Sequence, residues 1–166
     1  MRILGIDPAL RVTGYGVIDG NGTRVRLIEA GVVSPKIGAL ELRLQQLYAA
    51  MVEIISQTRP NVVVIEELYT TYKSPGTAIL MGHARGVLAL ASAQAGIPVH
   101  TIGHAHVKRA LVGSGSARKE QVGAMVARML GLRSAPSPHD VSDALALALA
   151  FHHRAGRVVP ARAAKA

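Results

Sequence analysis

Two apolar segments of the chain each run directly into a carboxylate. "RILGID" ends at Asp7, and "NVVVIEE" ends at Glu66 and Glu67. Uninterrupted apolar runs of this length are typical of strands that are buried on both faces of a sheet. A carboxylate at the end of such a strand is costly to bury unless a cation offsets its charge. The pattern therefore predicts a sheet whose strand ends carry a charged site.

A second acidic feature opens the last apolar segment. In "PHDVSDALALALA", Asp140 and Asp143 stand three residues apart, so both can lie on one side of a helix start. Aspartate at a helix N-terminus also caps free amides and complements the helix dipole. Taken alone, the pair fits a cap as well as a site. The site explanation gains weight because these acids are expected at the same corner of the sheet as the strand ends.

The order of the segments predicts an α/β fold. Three β-rich segments come first, with the turn sequence Asp19-Gly20-Asn21-Gly22 between the second and the third, and two more strands then alternate with helices. This order favours a five-stranded mixed sheet, three strands antiparallel and then two parallel, with helices on both faces. The helix Leu40–Ile55 should cross over and place the fourth strand beside the first. Asp7 and Glu66 would then be neighbours.

The charge balance points to a polyanionic partner. Lys and Arg outnumber Asp and Glu by 19 to 10, a formal charge of +9, which favours nucleic acid or, as an alternative, an anionic lipid surface. The absence of cysteine excludes disulfides and thiolate zinc sites and fits a cytoplasmic location. No signal peptide is expected, and no membrane span either, because the apolar stretch 78–95 contains His83 and Arg85. Residues 1–154 are expected to form one domain and residues 155–166 a basic, flexible tail.

Oxygen ligands without cysteine favour Mg²⁺ or Mn²⁺ over zinc. Two such ions roughly 4 Å apart can activate a water and stabilise the leaving oxygen in phosphodiester cleavage. Glu66 and Glu67 point to opposite sides of a strand, so only one of them should belong to the site. Glu66 is the candidate, because it follows the apolar run directly.

Several blocks of the chain, in order from the N-terminus to about residue 153, resemble the RuvC family of Holliday-junction endonucleases in the ribonuclease H-like superfamily. These blocks are "LGIDPALRVTGYGVI", "VVVIEELY", "HARGVLALA", "VKRALVGSGSARKEQV" and "PSPHDVSDALALALA". The resemblance implies a ribonuclease H-like fold, with Mg²⁺ as cofactor, Mn²⁺ able to substitute, and two ions per active site. It implies as metal-binding and catalytic acids Asp7, Glu66, Asp140 and Asp143. Ala9 departs from the family, which usually has Gly after this Pro, and some relatives carry His at the position of Asp140.

The segment "GSGSARKEQV" suggests a phosphate contact. Two glycines and two serines precede a helix start with Arg118 and Lys119, and free helix amides together with cations bind phosphate. An ordinary helix capped by Ser116 is compatible with this. The resemblance places Lys108 and Lys119 near the scissile phosphate. It also favours Tyr69 as a base contact, although from the residues alone Tyr69 could as well pack on the sheet edge.

The remaining features have mainly structural interpretations. His104 and His106, in "GHAH" at a strand exit, are expected at the surface and helix start, and His139 as a neighbour of Asp140 without a role. Tyr72 and Lys73 receive no role. The helix 76–96 carries small apolar residues all round, so it should be buried, either in the core or against a second subunit.

The resemblance implies a homodimeric, Mg²⁺-dependent endonuclease that nicks two opposed strands of a four-way DNA junction, leaving a 5′-phosphate and a 3′-hydroxyl. Its implied partners are a branch-migration motor and a junction-binding subunit. Three alternatives remain: a ribonuclease H acting on RNA–DNA hybrids, an actin-like sugar kinase, and a non-catalytic junction-binding module. The kinase fold needs two such domains around a nucleotide cleft, and this chain supplies one.

Overall fold

The computed structural model of the protein describes residues 1–68 and 75–158. These residues form five strands and five helices, in the order β1 (Arg2–Asp7), β2 (Thr13–Asn21), β3 (Arg24–Val33), α1 (Leu40–Thr58), β4 (Val62–Glu66), α2 (Pro75–Gln94), β5 (Val99–Ile102), α3 (His104–Val112), α4 (Lys119–Leu130) and α5 (His139–Val158). Among them there is no helix whose length and apolarity would allow it to cross a membrane.

The strands form one sheet in the order β3-β2-β1-β4-β5. β1 pairs antiparallel with β2 and parallel with β4, and β4 pairs parallel with β5. The predicted five-stranded mixed sheet is therefore confirmed. Since β1 and β4 run in the same direction, their carboxyl ends coincide and place Asp7 beside Glu66.

The alternation of side chains along β4 decides which helices face which acids. Val64 packs into the core under α3, α4 and α5, whereas Ile65 packs into the core under α1 and α2. Glu66, which follows Ile65 in the strand, therefore points to the α5 side. Asp7 shares the side of Glu66, because the residue before Asp7 is paired with Ile65 in the parallel ladder.

Helix α5 rests directly on β1 and β2, and glycines make this possible. A Cβ atom at Gly5 would overlap the carbonyl oxygen of Ala144, and one at Gly14 would overlap the carbonyl oxygen of Asp140. Gly14 is the residue opposite Asp7 in the antiparallel ladder. The missing side chains thus bring the first turn of α5 next to the end of β1.

One predicted turn and one predicted helix cap are wrong. The ladder between β2 and β3 continues to Asn21, so the turn contains Gly22 and does not extend over Asp19 and Gly20. Gly22 has a φ of 58°, which a residue without Cβ adopts readily. Ser116 does not cap α4: its Oγ lies 3.0 Å from the Oγ of Ser114. Arg118 is the N-cap residue instead, since the helix starts later than its sequence suggested.

The final helix also differs from its prediction. Helix α5 continues to Val158 and so passes the predicted start of the tail at residue 155. Residues 159–166 lie outside the described residues. The division into a domain and a tail stays a prediction.

Helix α2 is less buried than its composition predicted. Ala84 and Leu88 are fully buried against the sheet and α1. Ile79, Leu80 and Leu90, however, are 62%, 41% and 52% exposed. Packing against the rest of the chain therefore covers only one side of this apolar helix, and the apolar residues of the other side remain exposed.

Candidate active site

The four predicted acids meet at one corner of the sheet. Asp7 ends β1, Glu66 ends β4, and Asp140 and Asp143 lie in the first two turns of α5. Burial raises the pKa of Asp7 to about 8, and the negative charges of Glu66, Asp143 and Asp140 act in the same direction. The cluster therefore concentrates more negative charge than its surroundings can neutralise.

The carboxyls of Asp7 and Glu66 shift each other's pKa in opposite directions. Burial by itself would raise the pKa of Glu66, but the hydrogen bond and charge of His104, with smaller contributions from Asp7 and Lys119, lower it below its ordinary value. The hydrogen bond between the two carboxyls raises the pKa of Asp7 and lowers that of Glu66. The two acids therefore differ in the direction in which their surroundings shift the pKa.

Two basic side chains contact acids of the cluster. Nδ1 of His104 lies against Oε1 of Glu66, and this hydrogen bond raises the pKa of His104. Nζ of Lys119 donates to Oδ2 of Asp143 at 2.9 Å, which raises the pKa of Lys119. Asp143 therefore binds a side chain from another helix, which a mere cap on α5 would not do.

His104 is the residue that the sequence interpretation missed, because it was expected at the surface without a role. The sequence did contain a signal for His104, namely the expected alignment of the ends of the fourth and fifth strands. Glu66 is paired with Ile102, the last residue of β5, so His104, two residues further on, follows the same edge of the sheet. A histidine just past a strand that neighbours an acid-bearing strand should be counted with the acids.

Arg85 is a second residue without a prediction here, since the sequence interpretation used it only to exclude a membrane span. Its Nε donates to the backbone oxygen of Glu66 at 3.2 Å, and its Nη2 donates to Oγ1 of Thr101 at 2.8 Å. Arg85 thereby ties α2 to the ends of β4 and β5. This contact holds the backbone of Glu66 in place while its carboxylate faces the cluster.

The predicted basic residues are divided between two locations. Lys108 and Lys119 line a narrow cleft together with Glu66, His104 and Asp143. Arg118 is exposed and does not line this cleft, and His139 is exposed at the start of α5. The aromatic Tyr69 lies outside the described residues, as do Tyr72 and Lys73. The DNA contact of Tyr69 stays a prediction.

The donor set fits a hard divalent cation. Carboxylate oxygens are the preferred ligands of Mg²⁺ and Mn²⁺, and the raised pKa of Asp7 indicates an unbalanced negative charge. In residues 1–68 and 75–158, no group of three or more His, Asp and Glu side chains is arranged as the ligands of one ion. Glu66 and Asp143 are instead turned to His104 and Lys119. The strand ends and the start of α5 nevertheless place the acids at one corner of the sheet.

Comparison with known proteins then decides the family. Residues 3–152 match the family model for crossover junction endodeoxyribonuclease RuvC. The chain belongs to the RuvC family. The resemblance inferred from the sequence blocks is therefore confirmed, and RuvC proteins are metal-dependent nucleases.

Relatives and solved structures agree over nearly the whole chain. The RuvC of Rhodopirellula baltica is 42% identical over 158 residues, 95% of this chain and 89% of the relative. The RuvC of Halorhodospira halophila is 43% identical, covering 96% and 95% of the two chains. The solved structure of Thermus thermophilus RuvC in complex with Holliday junction substrate is 33% identical, with a TM-score of 0.87 and coverage of 95% and 97%. The ribonuclease H-like fold is thus confirmed.

Proposed function

We propose that the protein is a Holliday-junction resolving endonuclease that acts in DNA recombination and repair. The observation that carries this proposal is the corner of four acids within a fold that matches the junction-bound Thermus thermophilus RuvC over 95% of this chain. Family membership confirms the enzyme class expected from the sequence, a crossover junction endodeoxyribonuclease. Neither a hybrid-specific ribonuclease H nor a non-catalytic module is favoured.

The acids are assigned as the residues that hold the divalent cations, Mg²⁺ or in its place Mn²⁺, with two ions per site. These residues are Asp7, Glu66, Asp140 and Asp143. Divalent ions bound there would stabilise the charge that develops on the phosphate oxygens and lower the pKa of water. Lys108 and Lys119 flank the cleft and would neutralise the phosphate at which the strand is cut. Lys119, which pairs with Asp143 here, would contact phosphate instead when Asp143 holds a cation.

The test is a cleavage assay with purified protein, Mg²⁺ and a labelled synthetic four-way junction, beside an RNA–DNA hybrid and a linear duplex of the same sequence. Paired, symmetric nicks in the junction are expected, with little cutting of the other two substrates. Hybrid cleavage as fast as junction cleavage would refute the proposed substrate. Junction binding without cleavage would refute the enzyme.

Lys119→Ala is expected to reduce the single-turnover cleavage rate by about 10²-fold, because removal of one aligned donor to a developing charge costs this much. Arg24→Ala is the matched control: it removes the same charge from an exposed position on β3, outside the cleft. At saturating enzyme the control should cut within about threefold of the wild-type rate. Equal losses in both variants would show that Lys119 acts only through the net charge.

The enzyme is proposed to be a homodimer, since two symmetric cuts suit two-fold symmetry. The exposed apolar side chains of α2, Ile79, Leu80 and Leu90, support this helix as the subunit interface. Contact with a second copy would bury the side of α2 that the chain itself leaves uncovered. Family resemblance further suggests as partners a branch-migration motor and a junction-binding subunit. A chromosomal substrate suggests the cytoplasm as the location.

The double variant Ile79→Asp/Leu90→Asp is expected to weaken the dimer at least about 100-fold, because two charges would enter an apolar contact. Light scattering after size exclusion measures the mass, and the variant should elute as a monomer. Ile37→Asp, at a fully exposed residue outside α2, is the control and should remain dimeric. A dimeric double variant would place the interface elsewhere.

A further inference from the structure

A basic groove lies at the β5 edge of the sheet, outside the acidic cluster. It has a volume of about 630 Å³ and runs between α3 and the C-terminal part of α5. Its floor includes the small residues Gly103, Ala110 and Ala150, which leave it open. Four basic side chains line it, namely His106, Arg109, His153 and Arg154.

The positive charge of this groove is not neutralised by its surroundings. Arg109 and Arg154 are exposed, and neither forms an ion pair with any acid in the part of the chain that the structure describes. Glu67 is the one acidic residue in the lining. A concave surface with two arginines and two histidines against one carboxylate attracts an anion.

At two places, consecutive residues of the chain belong to the acidic cluster and to the lining of the groove. Glu66 belongs to the cluster, and Glu67, the next residue, lines the groove. In the same way Gly103 lines the groove, and His104 contacts Glu66. The ends of β4 and β5 therefore contribute neighbouring residues to both the cluster and the groove.

Arg109 also links the groove to the "GSGS" loop. Its Nη2 would lie 3.4 Å from a Cβ atom placed on Gly115, in the loop for which the sequence predicted a phosphate contact. The guanidinium therefore lies between the groove and this loop. Arg109 is therefore near both surfaces for which a phosphate contact is expected.

We propose that this groove binds the sugar–phosphate backbone of the DNA arm next to the phosphate that is cut. The proposal rests on the proposed junction-resolving function and adds to it the place where that arm is held. Arginine suits the role, because its planar fork pairs with phosphate oxygens through two hydrogen bonds. The groove contributes affinity, and the acidic cluster carries out the chemistry.

The test is the salt dependence of junction binding by the double variant Arg109→Ala/Arg154→Ala. Fluorescence anisotropy with a labelled four-way junction, without divalent ions, gives the dissociation constant at several salt concentrations. Two lost phosphate contacts should weaken binding about tenfold or more at 0.1 M salt and make the slope of log K against log salt shallower by about 2.

The matched control is Arg24→Ala/Arg26→Ala, which removes two charges from β3 at the opposite edge of the sheet. The control should keep the wild-type slope, since it changes the net charge equally without removing a groove contact. A second variant, Glu67→Gln, should tighten binding about twofold, because it removes the one acid from the lining. The affinity of Glu67→Gln tests the groove even if the double arginine variant does not fold.

Equal slopes for the two arginine variants, or an unchanged affinity in Glu67→Gln, would overturn the groove proposal. The proposed function is judged separately, by Mg²⁺-dependent cleavage with the wild type and the β3 control. Both should cut the junction whether or not the groove binds DNA. Failure of the wild type to cut would refute the function instead.

Discussion

Asp7→Asn is expected to bind a four-way junction as wild type does and to cut it at least about 10³-fold more slowly. The charges of the other three acids all raise the pKa of Asp7. Asp7 is therefore expected to be a ligand of any cation that the cluster binds. Asparagine keeps the shape of the side chain but removes its charge. Single-turnover cleavage with Mg²⁺ and anisotropy without it measure the two effects.

The control for this variant is Asp19→Asn. Asp19 is also on a strand of the same sheet, but it pairs with Arg2, at the end of β1 remote from Asp7. The control removes one carboxylate outside the cluster and should cut at the wild-type rate. Wild-type cleavage by Asp7→Asn would remove Asp7 from the mechanism.

The same variant should be more stable than wild type in metal-free buffer. The folded protein raises the pKa of Asp7 to about 8, whereas the unfolded chain has the ordinary value of 3.8. Between these values the folded state holds a proton that the unfolded state has lost, so this group lowers the free energy of unfolding as pH rises. The asparagine side chain of the variant does not titrate, so its free energy of unfolding does not fall with pH for this reason.

Thermal melts at pH 5 and pH 8 test this sign. The advantage of Asp7→Asn in the free energy of unfolding should be larger at pH 8, by about 1 kcal/mol or more. Added Mg²⁺ should reduce the advantage, because it stabilises the ionised cluster of the wild type. An advantage that shrinks as pH rises would contradict the raised pKa of Asp7.

Gly5→Ala is expected to lower the free energy of unfolding by about 3 kcal/mol, at the upper end of the cost of overpacking. The new Cβ would overlap the carbonyl oxygen of Ala144 and lie 2.9 Å from the backbone nitrogen of Ala148. Neither atom belongs to a flexible side chain, so α5 itself must move away from β1. This movement carries Asp140 and Asp143 away from Asp7.

Cleavage by Gly5→Ala should therefore fall by about 10²-fold even at temperatures where the variant is folded, since a shift of about 1 Å can cost this much. Urea unfolding measures the stability, and cleavage at low temperature measures the site. Gly38→Ala is the control, because no atom lies within 4 Å of its added Cβ. A Gly5→Ala protein as stable as wild type would show that α5 does not rest on β1.

The sequence was sufficient to predict the four acids, but it was not sufficient to predict all the basic side chains that face them. Asp7 and Glu66 could be placed together because strand periodicity and the right-handed crossover follow from local chemistry. The choice of Glu66 over Glu67 relied on the apolar run, and the ladder explains it, since Glu66 shares the α5 side of the sheet with Asp7. His104 was missed because its partner Glu66 lies 38 residues away in the chain, and only the alignment of β4 with β5 brings the two together.

What the sequence determined by itself is the order of strands and helices, the mixed sheet, the strand-end acids and the family. These depend on side-chain periodicity, turn residues and motifs, all of which are local in the chain. Only the tertiary structure decided how closely α5 approaches β1 and which cations face the acids. It also left one side of α2 uncovered and formed the groove beside β5. These features depend on the packing of distant segments, where one missing Cβ atom, as at Gly14, sets the distance between two acids.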